Sequence, residues 1–405
     1  MKVLWVNTNF LHPTTKGGQI RTLEILRHLS GWHEIHYVAI QDPAHPEAWK
    51  QAEEYCARAY PFKHAIPSKR SKAFIGQLAR GLFSAMPLAV SRFHSPALGP
   101  FLADLIRRER FDRGVVDHLA PTSYFPDLRH SLFFQHNVET MIWRRHAEHA
   151  SDPVRRWYFR LQAERMFRYE RRVSREAGHI VAVSDVDAAM MRKLFDVDHI
   201  SVVPTGVNIE YFAVPKDARP LADLAFVGSM DWLPNVDGVQ WFVREVLPII
   251  RRSKPDCTFA VVGRTPPPEI EALARTDARI TVTGTVPDVR PWFWGAKLSV
   301  VPLRIGGGTR LKIFEAMAAR APVVSTSIGA EGLAVAHPEN IRLADSPEAF
   351  AHECVQLLDD DAARQRVAAA AYEMVSSRFS SKQVAHHFEG ILEQSPGLPS
   401  QALAA

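Results

Sequence analysis

Val300-Val-Pro-Leu-Arg-Ile-Gly-Gly-Gly-Thr-Arg-Leu-Lys-Ile-Phe-Glu-Ala-Met-Ala318 is the stretch from which the rest of the chain is best read. An apolar run ends at Pro302, three glycines follow, and a helical pattern begins near Thr309. That is the strand, loop and helix of a parallel α/β unit. Gly306, Gly307 and Gly308 allow close approach of backbone to a ligand. The first N–H groups of a helix are unpaired and its dipole attracts anions, so this helix start is an anion site by construction. Arg310 and Lys312 stand in the first turn, where the dipole disfavours cations. Two cations there call for an anion between them, and a diphosphate meets that need. Glu315, one turn on, is placed to accept hydrogen bonds from ribose hydroxyls.

Outward from this stretch the same alternation continues. Strand patterns run over Leu224–Val227, Thr258–Val262, Ile280–Val282, Leu298–Val301 and Val323–Ser325, with helices between, including Val236–Arg252 and Arg310–Ala319. Continuous apolar strands alternating with helices imply a buried parallel sheet. The first half alternates less cleanly. Lys2–Phe10, Glu34–Ile40, Arg113–Asp117, Leu132–Gln135, Ile180–Ser184 and Ile200–Val203 read as strands, Gln19–Ser30 and Pro153–Glu176 as helices, and helical patterns fill the stretch up to Arg110. Residues 204–220 lack periodicity and hold Pro204, Gly206, Pro215 and Pro220, which reads as a linker. The expected organisation is α/β, with two doubly wound parallel-sheet domains, 1–203 and 221–375. A helical tail, 376–405, is expected to cross back to the first domain. Ligands of such sheets sit at the carboxyl ends of the strands, so the expected site is a cleft onto which both sheets' strand ends open.

Composition narrows the class. The chain has 405 residues, too many for one ordinary domain, and 46% of them are apolar, enough for sizeable cores. Three scattered cysteines, Cys56, Cys257 and Cys354, give neither a disulfide framework nor a metal motif and fit a reducing compartment. The N-terminus enters a strand pattern directly, and no stretch nears the roughly 18 apolar residues of a membrane span. A cytoplasmic protein is therefore expected. A net charge of +5 suggests an anionic partner.

Further candidate residues lie after strands. Gly17 and Gly18 end the loop after the first strand, just before the helix that begins at Gln19, with Arg21 one turn in. His136 follows Leu132–Gln135. Gly228 and Ser229, Gly263, and Gly284 follow three strands of the second half. Taken with Gly306–Ala318, the segments Phe226-Val-Gly-Ser229 and Phe134-Gln-His-Asn-Val-Glu139 resemble the retaining glycosyltransferases of family 4, which have the GT-B fold of two Rossmann-like domains. The resemblance covers most of the chain and keeps the order of motifs. It implies a nucleoside diphosphate sugar as donor co-substrate, with no other cofactor and no metal. Donor-binding positions would be Gly17, Gly18, Gly228, Ser229, Gly263, Gly284, Gly306, Gly307, Gly308, Thr309 and Glu315. His136, Arg310 and Lys312 would carry the catalysis. Two departures stand out. The family usually has Glu where this chain has Gly307, and Arg and Lys where this chain has Ser229 and, roughly, Asn235. Arg310 and Lys312 are the evident replacements for those cations.

The expected reaction is transfer of a sugar to a hydroxyl acceptor with retention, and a lipid-linked saccharide of surface polysaccharide assembly is the acceptor the resemblance implies. A nucleotide-sugar epimerase and a catalytically silent nucleotide-sugar binder are alternatives on the same fold. A nucleic-acid-binding role is disfavoured by the modest charge and the lack of a dedicated motif. Eight arginines crowd Pro153–Glu176, interleaved with aromatics. Either they form a surface for anionic lipid at the cytoplasmic face of a membrane, or the helix packs its aromatics inward and solvates its charges.

Overall fold

β1 (Lys2–Asn9) is apolar from Val3 to Val6 and buried on both faces, which places it inside a sheet rather than at an edge. Around it the computed structural model arranges β2 (Glu34–Gln41), β3 (Arg58–Lys63), β4 (Arg113–Asp117), β5 (Leu132–Gln135), β6 (His179–Ala182) and β7 (Ile200–Val202). The order is β3-β2-β1-β4-β5-β6-β7, and every pairing is parallel. The structure describes the chain apart from residues 15–16, 43–44, 65, 67–70, 72–75, 79–80, 82–83, 151, 306–310 and 400–405, and the side chain of residue 149.

A second sheet comprises β8 (Ala222–Val227), β9 (Phe259–Val262), β10 (Ile280–Val282), β11 (Ala296–Val301), β12 (Val323–Ser325) and β13 (Arg342–Leu343). Its order is β10-β9-β8-β11-β12-β13, again all parallel. In each sheet the strand order reverses once, between β1 and β4 and between β8 and β11. Those reversals are where ligands of open parallel sheets bind, because the helices that follow diverge to opposite faces there.

The chain divides into two units, Met1–Pro204 with Val384–Ala405, and Thr205–Gln383. The boundary falls in the first turn of α7 (Ser381–Gln394). The rest of α7 buries Phe388 and Leu392 in the first unit, with Phe388 packed 5.4 Å from Trp5 and 5.2 Å from Phe134. Arg113 Nε and Nη2 close the end of α7 by donating to the carbonyls of Leu392 and Glu393.

Three elements differ from the sequence reading. Of residues 204–220, expected as a linker, Pro204 closes the first unit and 205–220 belong to the second. Val207 bridges to Ser380, Phe212 is buried, and Trp294 Nε1 donates to the Phe212 carbonyl at 2.8 Å. β3 lies where helical patterns were expected. Its Pro61 is tolerated because β3 is an edge strand, where a missing N–H faces no partner. The helix expected over Val236–Arg252 is α4 (Leu233–Trp241), a π-helical turn at Phe242–Val246 and α5 (Leu247–Ser253). Pro248 lacks an N–H, and the wider turn before it accommodates the break. The three cysteines are buried and free. Among the described residues no helix is long and apolar enough to cross a membrane.

Phe388→Ala is expected to destabilise the first unit by about 3–5 kcal/mol. Denaturant unfolding followed by Trp5 fluorescence, in a variant lacking the other tryptophans, would show an unchanged midpoint if this packing is idle.

Candidate functional site

In the first unit the ends of β1, β4 and β5 converge on the carboxylate of Asp117, which is fully buried. Its Oδ2 accepts from Trp5 Nε1 at 3.0 Å, Asn7 Nδ2 at 2.8 Å and Thr22 Oγ1 at 2.8 Å. Its Oδ1 accepts from His136 Nε2 at 2.6 Å. Burial alone would raise its pKa, but His136, His118 and these donors outweigh that and hold it at about 2. Arg21, on α1 (Gly17–Leu29), places Nη1 2.9 Å from His136 Nδ1. Arginine only donates, so Nδ1 accepts and the proton sits on Nε2. His136 is thereby a neutral imidazole with both nitrogens engaged. Burial, with His118 and Arg21 nearby, pushes its pKa down to about 3.

His118 is the half-buried, most accessible member of this cluster. Its ring stacks on His136 with centroids 3.9 Å apart, and its side chain is 32% accessible. Its backbone is left-handed, with φ at 73°, a strained setting for a non-glycine residue. Gly18 lies against both rings: a Cβ there would fall 3.2 Å from His118 Cε1 and 3.5 Å from His136 Nδ1. Asp117, His118 and His136 are near enough together to hold an ion on distance alone. The hydrogen bonds argue otherwise, since a cation on His136 Nδ1 would displace, and be repelled by, the Arg21 guanidinium.

The segment after His136 is held from a distance. Glu170, on α3 (Pro153–Glu176), accepts from Gln135 Nε2, from the backbone N–H of Glu139 and Thr140, and from Thr140 Oγ1. It thus satisfies the first amides of α2 (Glu139–His149), whose own cap position, Val138, offers no side-chain acceptor. Glu139 sits beside it, and burial with the Glu170 charge raises its pKa to about 7.

In the second unit the ends of β8 and β9 touch backbone to backbone. A Cβ on Gly263 would lie 1.9 Å from the Gly228 carbonyl oxygen, so only glycine fits. Lys312, on α6 (Leu311–Ala318), reaches back over the Phe226 ring at 4.4 Å and donates to Asn235 Oδ1 at 2.8 Å. Asn235 Nδ2 in turn donates to the Ser229 carbonyl at 2.7 Å. Lys312 therefore grows from one wall and ends on the other, at the two positions where the family's usual cations are replaced. Arg264 joins from the β9 loop, donating from Nε to Ser229 Oγ at 2.8 Å, while Asp231 accepts from that same hydroxyl at 2.6 Å. Gly284 holds φ at +67° in the loop after β10. Burial, opposed by Lys312, raises the Glu315 carboxyl to about 7. Among the described residues that carboxylate makes no hydrogen bond. Gly306, Gly307, Gly308, Thr309 and Arg310 lie outside the described residues.

The structure brings together Gly18, Arg21 and His136 in one unit, and Gly228, Ser229, Gly263 and Lys312 in the other. Asp117, His118 and Arg264 were missed. His118 and Arg264 each follow a strand, and the rule that picked out His136 applies equally to them; Asp117, the last residue of β4, matters through distant contacts that no such rule shows. A cavity of about 370 Å³ lies between α2 and α3, lined by Arg144, Ala147, Glu148, Arg160, Ala163 and Glu164, two cations and two carboxylates.

Two parallel α/β units, each with its functional loops at the sheet reversal, define a GT-B architecture. Comparison with known proteins agrees. Residues 15–211 match the model "Glycosyltransferase Family 4" and residues 222–360 the model "Glycosyl transferases group 1". Anabaena HepE bound to UDP superposes with a TM-score of 0.67 at 13% identity, covering 97% of this chain and all of that one. Sucrose-phosphate synthase from Thermosynechococcus elongatus gives 0.70 at 17% identity, covering 97% and 98%. WaaG, a glycosyltransferase involved in lipopolysaccharide biosynthesis, gives 0.62 at 15% identity, covering 96% and 99%. A Klebsiella pneumoniae protein, described as an uncharacterized 44.6 kDa protein in the cps region, is 22% identical over 95% of this chain and 97% of its own length. The chain is a glycosyltransferase of the family 4 type with the GT-B fold.

Asp117→Ala would orphan four buried donors and is expected to cost about 3–5 kcal/mol in denaturant unfolding. His136 also sets an acid limb. The unfolded imidazole takes a proton near pH 6.5 but the folded one only near 3, so stability falls as pH drops through that window. Melting temperatures of wild type and His136→Asn should converge with falling pH; parallel curves would refute the assignment. Glu315 runs the other way. Its raised pKa makes ionisation costly, so the wild type should lose stability relative to Glu315→Gln as pH rises from about 4.5 to about 7.

Proposed function

We propose that this enzyme moves a sugar from a nucleoside diphosphate donor to a hydroxyl of a lipid-linked saccharide, with the anomeric configuration retained, in surface polysaccharide assembly at the cytoplasmic face of a membrane. The observation that carries the donor reading is Lys312. Its ammonium is held at the C-terminal edge of the second sheet, beside Ser229 and Arg264 and one helical turn from Glu315. A diphosphate fits those cations and a ribose fits that carboxylate. The solved structures of Anabaena HepE with UDP, and with UDP-glucose, support a nucleotide-sugar donor. The cps-region relative and WaaG support a polysaccharide acceptor.

In this reading the bond from the anomeric carbon to the diphosphate oxygen breaks, and the acceptor oxygen bonds to the same face. Lys312, Arg310 and the start of α6 stabilise the departing charge, which is the main electrostatic task. The acceptor proton passes to a diphosphate oxygen, with no metal ion required. Gly17 and Gly18 are the first unit's backbone contacts to its substrate. His136 is locked from behind by Asp117 and Arg21, and it acts through His118, whose ring meets the sugar or acceptor.

A panel of nucleoside diphosphates in a thermal-shift assay tests the donor site, since a ligand at about 100 times its Kd stabilises by about 2.7 kcal/mol. No stabilisation by any of them would sink the reading. Lys312→Ala, or Arg310→Ala, is expected to lower kcat/KM about tenfold or more, because a charged hydrogen bond contributes about 1.5–3 kcal/mol. An inverted anomer in the product, read by NMR, would overturn retention.

A further inference from the structure

The arginines of α3 are not equivalent. Towards its C-terminal end they are committed inside the first unit. Arg165 donates to the Gly81 carbonyl, Arg168 pairs with Glu164 at 2.8 Å, Arg172 with Glu176 at 3.4 Å and Arg175 with Asp196 at 2.7 Å. The inward face is also committed, burying Met166, Tyr169, Glu170 and Val173. For this half the helix is an ordinary packed element with a solvated, charge-matched surface.

The first turns differ. Residues 152–157 are all exposed, and among them Val154 and Trp157 are 72% and 58% accessible. These two stand three residues apart and so share one side of the helix. Arg155 and Arg160 flank them, exposed, and neither makes an ion pair among the described residues. Arg156 is exposed too, its Nε turned back to the Ala150 carbonyl at 2.9 Å. The acidic groups at this end are few. Asp152 is spent on capping the helix, accepting from the Arg155 amide at 2.8 Å, and Glu148 lies on the neighbouring α2. The helix dipole adds positive potential at the same end.

We propose that this end of α3 is a membrane-docking surface for anionic phospholipid, in which Trp157 and Val154 enter the headgroup region and Arg155 and Arg160 take lipid phosphates. Tryptophan favours the boundary between headgroups and chains, and unpaired arginines grip phosphate through paired N–H groups. An acidic protein partner would also meet the arginines, but an apolar pair jutting from an exposed helix tip suits a fluid surface better. The inference deepens the reading of a lipid-linked acceptor, and it is tested without turnover so that either can fail alone.

The test is co-sedimentation, without nucleotide sugar, using vesicles of phosphatidylcholine alone or mixed equally with phosphatidylglycerol. Wild-type protein should pellet with the anionic vesicles at low salt, less at high salt, and not with phosphatidylcholine alone. Val154→Ser with Trp157→Ser, and separately Arg155→Gln with Arg160→Gln, should each lower partitioning about tenfold or more. Their melting temperatures should be unchanged, because these side chains are exposed. Arg168→Gln with Arg172→Gln, on the charge-matched stretch, should pellet like wild type. Three results would each overturn the proposal: no wild-type binding to anionic vesicles at low salt, tip variants that pellet undiminished, or a control pair that fails equally. The first would leave the patch to a protein partner.

Discussion

The first unit turns on one buried carboxylate. Asp117 has no contact with water, yet it stays ionised because four donors from β1, α1 and the loop after β5 surround it. An ionised group in that setting is expensive unless every lone pair is met. Meeting them fixes three separate segments at once: the end of β1, the first turns of α1, and the His136 loop. The geometry of His136, its tautomer and the stacking of His118 above it all follow from that carboxylate. So does the position of Gly18, whose α-carbon has to fit beneath both rings.

The second unit solves a different problem, that of holding positive charge at the carboxyl edge of a sheet. Backbone contact between Gly228 and Gly263 brings the ends of β8 and β9 together and leaves no room for side chains of their own. Charge has to come from elsewhere. Lys312 crosses from α6 and Arg264 leans in from the β9 loop, and both end on the short bridge made by Asn235 and Ser229. The aromatic face of Phe226 supports the ammonium, 4.4 Å from its ring centre. Asp231 tempers Arg264 at 3.4 Å.

What was legible in the sequence follows from periodicity. Strands such as Ile280–Val282 and Val323–Ser325, buried and bounded by turn residues, were read to the residue. β3 was not, because an edge strand is half exposed and Pro61 breaks its pattern. The role of Pro248 in splitting one helix is visible in sequence only once the register is known. At the site, glycines and cations after strands gave Gly228, Gly263 and Lys312. Asp117 and Glu170 were illegible for a common reason. Their importance lies in contacts made 95 to 112 residues away for Asp117 with Thr22, Asn7 and Trp5, and 30 to 35 for Glu170. No spacing rule reaches that far.

These two arrangements bear on where a proton goes in the proposed transfer. A protein base needs a free lone pair near the reacting oxygen. His136 has none: Nε2–H points at Asp117, and Nδ1 faces a guanidinium that cannot give way. A pKa near 3 also makes it a poor acceptor at neutral pH. The carboxyl of Glu139 is raised to about 7, but it sits against Glu170 at the start of α2 as part of that helix's anchoring. The group that gains basicity as the bond breaks is the departing diphosphate. In the proposed transfer Lys312 stabilises that oxygen as charge builds. Front-face transfer of the acceptor proton to the leaving group is the route that asks least of these side chains.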